Sequence, residues 1–313
     1  MNILLYCNFA NSKQWEIAVR KKFRKEYVYT LSDNPELEKI DCAIIWNIPN
    51  DILCKLTSLK IIFSMGAGVD HILKLSSYNE TPIIRVKDPS MAVRMSYHVL
   101  SQILEYQLNL KYFHNAQLKK NWLENLQYEK QVKLNNEITV GILGVGFLGS
   151  YIGKYLKKLE YNVIGLKNSI SKTKNSFPIF TSIKKNYFIK NSNIIVAILP
   201  STKNTNNFIN ADFLKKMKKK SLLINVGRGA TINEKDLINH VKKNKDFFAS
   251  LDVFKNEPLP KSNPLWLSKN ITITPHVASL TVVDIIVEQM HKSLLNYKKI
   301  KKIKNDVDLR KGY

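Results

Sequence analysis

The chain has 313 residues, 44% hydrophobic and 24% charged, with 49 Lys and Arg against 25 Asp and Glu, a net charge of +24. At about 100–200 residues per domain, this length predicts two domains with substantial cores, and the composition excludes a disordered chain. No run approaches the roughly 18–20 apolar residues of a membrane span. The opening residues 1–8 carry no basic leader and read as a buried first strand. Cys7, Cys42 and Cys54 form neither a disulfide framework nor a metal-ligand spacing, so no metal and a cytoplasmic setting are expected. Only six of the 49 basic residues are Arg, and the lysines are scattered rather than gathered in one arm. That pattern reads as solvated faces in a chain from an AT-rich genome, so nucleic acid and membrane are not expected partners.

Short apolar runs alternate with longer amphipathic ones along the chain. Residues 3–7 read as a strand and 13–24 as a helix. Residues 42–46, 60–64 and 83–86 read as further strands. One long helix is expected over 91–118, which contains no Gly or Pro, followed by a loop with Trp122 and Tyr128. Strands then fall at 138–143, 162–166, 194–199, 222–226, 248–253 and 271–274, before a helix over 282–297 and a basic tail. The lysine runs 215–220 and 298–304 sit on helix-like segments. Such alternation is the signature of βαβ units around parallel sheets, here in two α/β halves.

The strand at 138–143 runs into Gly144-Val145-Gly146-Phe147-Leu148-Gly149, and Leu148, Ile152, Leu156 and Leu159 then recur at helical spacing. A G-x-G-x-x-G in that context predicts a dinucleotide site. The first glycine makes the turn, the second admits a pyrophosphate, and the third lets helix and strand pack closely. The N–H groups of Phe147 and Leu148 would face the phosphates. An acid about 20 residues further on would bind the ribose 2′-hydroxyl of NAD. Here the stretch is Leu166-Lys167-Asn168-Ser169-Ile170-Ser171-Lys172, with no acid. Lys167, with Asn168 or Ser169, suits a 2′-phosphate, so NADP(H) is preferred and NAD(H) remains possible.

In open α/β sheets ligands sit beyond the carboxyl ends of the strands. Those ends carry Leu199-Pro200-Ser201-Thr202, Val226-Gly227-Arg228-Gly229, Asp252 followed by Glu257-Pro258, and Thr274-Pro275-His276. An Arg, a Glu and a His thus reach the rim that holds the glycine turn. Arg228 is the only Arg between residues 95 and 309, which points to a fork geometry that Lys cannot supply.

These motifs resemble the D-isomer-specific 2-hydroxyacid dehydrogenases, most closely the bacterial glyoxylate/hydroxypyruvate reductase A branch. The matching segments are 63–70, 141–150, 225–229, 251–260, 272–278 and the closing Arg310-Lys311-Gly312-Tyr313, so the likeness runs end to end. The resemblance implies a Rossmann cofactor domain (101–281) inserted in a flavodoxin-like substrate domain (1–100 and 282–313), with a cleft that closes over the substrate. It implies that Arg228 holds the carboxylate of a small 2-keto acid and polarises the keto oxygen. His276 would be the general acid, and Glu257 would fix its ring and favour its protonated form. Backbone N–H groups of Ala67, Gly68 and Val69 would complete the carboxylate site. Asp252 matches the position that binds the nicotinamide carboxamide, with Ala278 and Ser279 beside it. A homodimer is implied as well.

The sequence departs from the family where a Glu is common on the long helix. Tyr97 stands near that place, with His98 beside it and Arg94 close by as a second cation. Trp46 and Trp122 suit either a substrate-pocket wall or packing. A formate dehydrogenase would carry Gln where Glu257 stands, and a phosphoglycerate dehydrogenase often has a regulatory domain beyond this length. The activity expected is NADPH-dependent reduction of glyoxylate to glycolate and of hydroxypyruvate to D-glycerate. The alternative is an NAD(P)H-sensing corepressor or nucleic-acid-binding protein on the same fold.

Overall fold

The structure, a computed structural model, describes all residues except 9–10, 124–132, 169–175, 280, 304, 311 and 313. Tyr128, Ser169, Ser171, Lys172, Lys311 and Tyr313, singled out above, lie outside the described residues. The chain divides into two compact units, residues 1–88 with 281–313, and residues 89–280.

The first unit holds strands β1 (Asn2–Tyr6), β2 (Tyr27–Tyr29), β3 (Cys42–Ile45), β4 (Ile61–Ser64) and β5 (Ile83–Ile84). Its helices are α1 (Ser12–Lys22), α2 (Asn50–Leu53), α3 (Asp70–Leu73) and α10 (Val283–Ile300). The sheet order is β2-β1-β3-β4-β5 with every pairing parallel, the flavodoxin-like arrangement. Every residue of β3 and β4 is buried, as expected of central parallel strands covered on both faces. Helix α10 closes the unit by laying Ile286, Val287, Met290 and Leu294 inward, at helical spacing.

The second unit holds β6 (Thr139–Leu143), β7 (Asn162–Leu166), β8 (Ile179–Phe180), β9 (Ile194–Ala197), β10 (Ser221–Asn225), β11 (Phe247–Leu251) and β12 (Ile271–Ile273). Its helices are α4 (Pro89–Gln107), α5 (Leu110–Leu118), α6 (Phe147–Lys158), α7 (Lys185–Asn191), α8 (Ala211–Lys216) and α9 (Glu234–Lys243). The parallel order β12-β11-β10-β9-β6-β7-β8 is the Rossmann arrangement with one further strand, and its topological switch lies between β6 and β9. Successive residues of β10 feed opposite faces: Leu222 and Ile224 join one core cluster and Leu223 the other.

Two expectations are corrected. The helix expected over 91–118 is two helices, because Asn109 adopts a left-handed conformation (φ 52°) between α4 and α5. Asn tolerates that region, so the break needs neither Gly nor Pro. Two edge strands, β2 and β8, were not expected. At three and two residues they are too short for a period to register. The lysine runs fall at helix ends. Lys215 and Lys216 close α8, Lys298 and Lys299 close α10, and Lys301 is left-handed, a placement the helix dipole favours. Helix α4 runs unbroken through residue 100 and lies wholly in the second unit.

Candidate active site

The glycine turn follows β6 at the switch point. Gly144 has φ +103°, which a side chain would resist. A Cβ on Gly149 would come 2.1 Å from the Gly144 carbonyl oxygen, so only glycine lets α6 start this close to the turn. A Cβ on Gly146 would meet nothing within 4 Å. Gly146 also caps α6 without any side-chain acceptor, and the first-turn N–H groups of a helix have no partner within it. Phe147 is exposed and Leu148 half-buried. Open space at the middle glycine, in front of uncapped N–H groups, is what a pyrophosphate needs, so these residues fit a dinucleotide. Beyond β7, Lys167 is half-buried and anchored by its N–H to the Phe180 carbonyl at 3.0 Å, while Asn168 is exposed.

The loops after β9 and β10 touch. A Cβ on Gly227 would lie 2.8 Å from the Leu199 backbone, and the Pro200 carbonyl accepts the Thr205 hydroxyl at 2.6 Å. Asn225, fully buried at the end of β10, accepts the Gly227 N–H at 3.1 Å and donates to the Arg228 carbonyl at 3.1 Å. Thr231 donates its hydroxyl to the same carbonyl at 2.6 Å. These bonds fix the turn that presents Arg228, whose Nη1 donates to the Gly227 carbonyl at 2.9 Å. Val226, buried, joins the turn to β9 through the Ala197 carbonyl at 3.1 Å.

Asp252 is 1% exposed. Its carboxylate accepts the Thr274 hydroxyl at 2.6 Å and the N–H groups of Val277 and Ala278 at 2.9 Å each. Its backbone carbonyl accepts the His276 N–H at 2.8 Å. The segment 274–278 therefore folds around Asp252, which is how a buried carboxylate is satisfied. Ser279 extends the anchorage by donating to the Met91 carbonyl at 3.0 Å. The turn holds His276 at φ 56°, a left-handed strain that the surrounding bonds over-determine.

His276 Nδ1 lies 2.7 Å from Glu257 Oε2, and the other Glu257 oxygen accepts the Phe254 N–H at 2.8 Å. Burial works to raise the Glu257 pKa, but the His276 and Phe254 hydrogen bonds, with the charges of His276 and Arg228, hold it below the usual carboxylate value. A lowered folded-state pKa means the ionised form is favoured by folding. Its contribution is full above the ordinary glutamate value and is lost as pH falls through the lowered one. Activity should therefore hold its Glu257-dependent plateau to below about pH 4.3, the ordinary glutamate value. A pH profile of kcat/KM tests this. An acid limb at or above that pH which vanishes in Glu257→Gln would contradict it.

Roles for Asn225, Thr231, Thr274 and His98 were not legible in the sequence. A polar residue ending an otherwise apolar strand was the available signal for Asn225. His98 is placed by register. Helix α4 runs against β11 with Tyr106 edge-on to Phe248 (5.5 Å) and Gln102 accepting the Ser250 hydroxyl (2.7 Å). One helical turn covers two strand residues, so His98 comes next to Asp252. Burial pushes the His98 pKa down, with the Asp252 charge opposing. Tyr97 is exposed and packs edge-on to Tyr155, and Arg94 is exposed. Trp122 is 92% exposed. In the first unit Ala67 and Gly68 are half-buried and Val69 is buried, in the loop between β4 and α3.

A parallel sheet with a glycine turn at its switch point, and an Arg and a His–Glu pair beyond the same strand ends, defines an NAD(P)-dependent oxidoreductase. Residues 100–278 match the family model for the NAD binding domain of D-isomer specific 2-hydroxyacid dehydrogenases, and the chain belongs to that family. It is 28% identical, over 100% of both chains, to glyoxylate/hydroxypyruvate reductase A of Photorhabdus laumondii. Among solved structures it is similar to an NADPH-dependent glyoxylate/hydroxypyruvate reductase from Sinorhizobium meliloti in complex with NADP and sulfate. That likeness has a TM-score of 0.91 and 27% identity, over 100% of this chain and 99% of that one. It is also similar to a probable 2-hydroxyacid dehydrogenase from Rhizobium etli in complex with NADP, HEPES and L(+)-tartaric acid, with a TM-score of 0.89 and 28% identity over 100% and 99%. These likenesses do not favour the nucleic-acid-binding alternative. No helix among the described residues is long and apolar enough to cross a membrane.

Proposed function

We propose that the chain is an NADPH-preferring reductase that converts glyoxylate to glycolate and hydroxypyruvate to D-glycerate. The observation that carries this is the His276–Glu257 pair at 2.7 Å, beyond the same strand ends as Arg228 and the glycine turn. End-to-end likeness to reductases named for those substrates, one of them holding NADP, supports the substrate and cofactor choice. When bound, the reduced nicotinamide supplies the hydride that adds to C2 of the keto acid. The Arg228 guanidinium grips the substrate carboxylate and draws charge onto the keto oxygen. His276 Nε2 gives its proton to that oxygen as it becomes an alkoxide, while Glu257 at Nδ1 holds the ring in place. Ala67, Gly68 and Val69 offer backbone N–H groups to the carboxylate. Asp252, Ala278 and Ser279 serve the nicotinamide end of the cofactor. Leu199, Pro200, Val226 and Gly227 line its course, and Gly144, Gly146, Phe147, Leu148 and Gly149 take the pyrophosphate. A cytoplasmic homodimer completes the proposal, on the three cysteines and the family resemblance. Light scattering on the purified chain tests the dimer.

The direct test follows absorbance loss at the reduced nicotinamide band with glyoxylate, hydroxypyruvate, pyruvate or no acid, each with NADPH and with NADH. Fast NADPH oxidation with the first two acids is expected. A folded protein that binds NADPH and oxidises it with none of them would refute the proposal. Cofactor choice rests on Lys167 and on the lack of an acid in residues 166–172. Lys167→Glu should weaken NADPH by about tenfold or more, the scale of a lost charge-assisted bond, and NADH far less. Equal loss for both cofactors in fluorescence titration would remove Lys167 from 2′-phosphate recognition.

A further inference from the structure

The loop between β4 and α3 is held from beneath by a serine and a histidine. Ser64, fully buried at the end of β4, directs its hydroxyl at two carbonyls, Gly66 at 3.0 Å and Gly68 at 3.1 Å. It also accepts the Gly66 N–H at 3.4 Å and lies 3.2 Å from His71 Nε2. His71 is 4% exposed, and its Nδ1 accepts the Asn47 N–H at 3.2 Å. A ring nitrogen that accepts a backbone N–H carries no proton, so the neutral His71 keeps its proton on Nε2 and donates to Ser64. The Ser64 hydroxyl then has only carbonyls left to donate to. Trp46 lies against the His71 ring, with centroids 4.3 Å apart. A Cβ on Gly66 would come 2.4 Å from the Trp46 ring, so the loop, the indole and the imidazole are packed as one piece.

A trans peptide is planar, with C=O and the following N–H pointing opposite ways. Turning the Gly66 and Gly68 carbonyls inward to Ser64 therefore turns the N–H groups of Ala67 and Val69 away from it. Neither N–H has a hydrogen-bond partner among the described residues. N–H groups freed in this way on either side of Gly68 are donors that an anion can accept.

We infer that Ser64 and His71 are positioning residues that aim the N–H groups of Ala67 and Val69 at the substrate carboxylate. The inference rests on the assignment of this loop to carboxylate binding under the proposed function. The direction of donation fixes which substitutions matter. Ser64→Ala removes the hydroxyl, and His71→Leu removes the donor that orients it. His71→Gln keeps an N–H donor near the position of Nε2.

The test measures KM and kcat for glyoxylate, and calorimetric binding of oxalate to the NADPH-loaded protein, in wild type and the three variants. Thermal melting reports folding. Ser64→Ala and His71→Leu should raise KM and the oxalate Kd about tenfold, the scale of one misaligned bond to a charged group, with kcat and NADPH affinity within about twofold. His71→Gln should recover most of the loss. A purely structural role would lower Tm and kcat together and show no rescue by Gln. Unchanged KM and oxalate affinity in folded Ser64→Ala, or in His71→Leu should the serine variant not fold, would overturn the inference while wild-type turnover leaves the proposed function standing. A wild type that neither reduces glyoxylate nor binds oxalate would overturn both.

Discussion

His276→Ala should lower kcat for glyoxylate by about 10²–10⁴-fold, the range of a positioned acid–base group. Without the imidazole the alkoxide oxygen must take its proton from water. The site is built to hold that ring. Asp252 gathers Thr274, Val277, Ala278 and the His276 backbone N–H around itself, and Glu257 fixes Nδ1 at 2.7 Å. These bonds sustain the left-handed φ of 56° at His276. Alanine leaves the Asp252 bonds intact, so Tm and the NADPH Kd should stay near wild type and the loss should appear in a single-turnover measurement of the chemical step. Near-normal single-turnover rates would remove His276 from the mechanism.

Gly229→Ala should cost about 10²-fold or more in kcat/KM, because displacements near 1 Å in a catalytic constellation are expensive. A Cβ there would lie 1.9, 2.1 and 2.3 Å from the C, O and Cα atoms of Phe254. All three are backbone, so no rotamer change gives relief, and overpacking of this kind costs roughly 1–3 kcal/mol or more. Phe254 must move, and its N–H is the donor that holds Glu257 at 2.8 Å. Gly229 also follows Arg228 directly, so one methyl group disturbs the arginine and the His–Glu pair together. Gly146→Ala is the matched control. Its Cβ meets nothing within 4 Å and its φ of −91° suits any residue, so Tm should hold. The methyl would instead occupy the pyrophosphate space, and NADPH should weaken about tenfold or more for loss of one phosphate contact. Thermal melts and NADPH titrations on the pair check this. A folded Gly229→Ala with wild-type kcat/KM would refute the steric account.

Local features made much of this molecule legible from its amino acids alone. Central strands such as β4, β9 and β10 are apolar with polar residues only at their ends, because a parallel strand covered on both faces tolerates little else. The glycine turn, Arg228, Glu257 and His276 could be found because each sits immediately beyond such a run or a short loop from it. Only the tertiary structure decided what acts across distance. Edge strands β2 and β8 exist through pairing with β1 and β7, not through any period of their own. The break at Asn109 depends on a backbone state that Asn permits but does not demand. Gly229 is a steric requirement only because Phe254 comes back against it, and Ser64 and His71 act on one loop only because Asn47 returns to the imidazole. Sequence carries what one segment imposes on itself through propensity and period. Contacts between segments far apart in the chain leave no such local mark, and those contacts aim the N–H groups, the guanidinium and the imidazole.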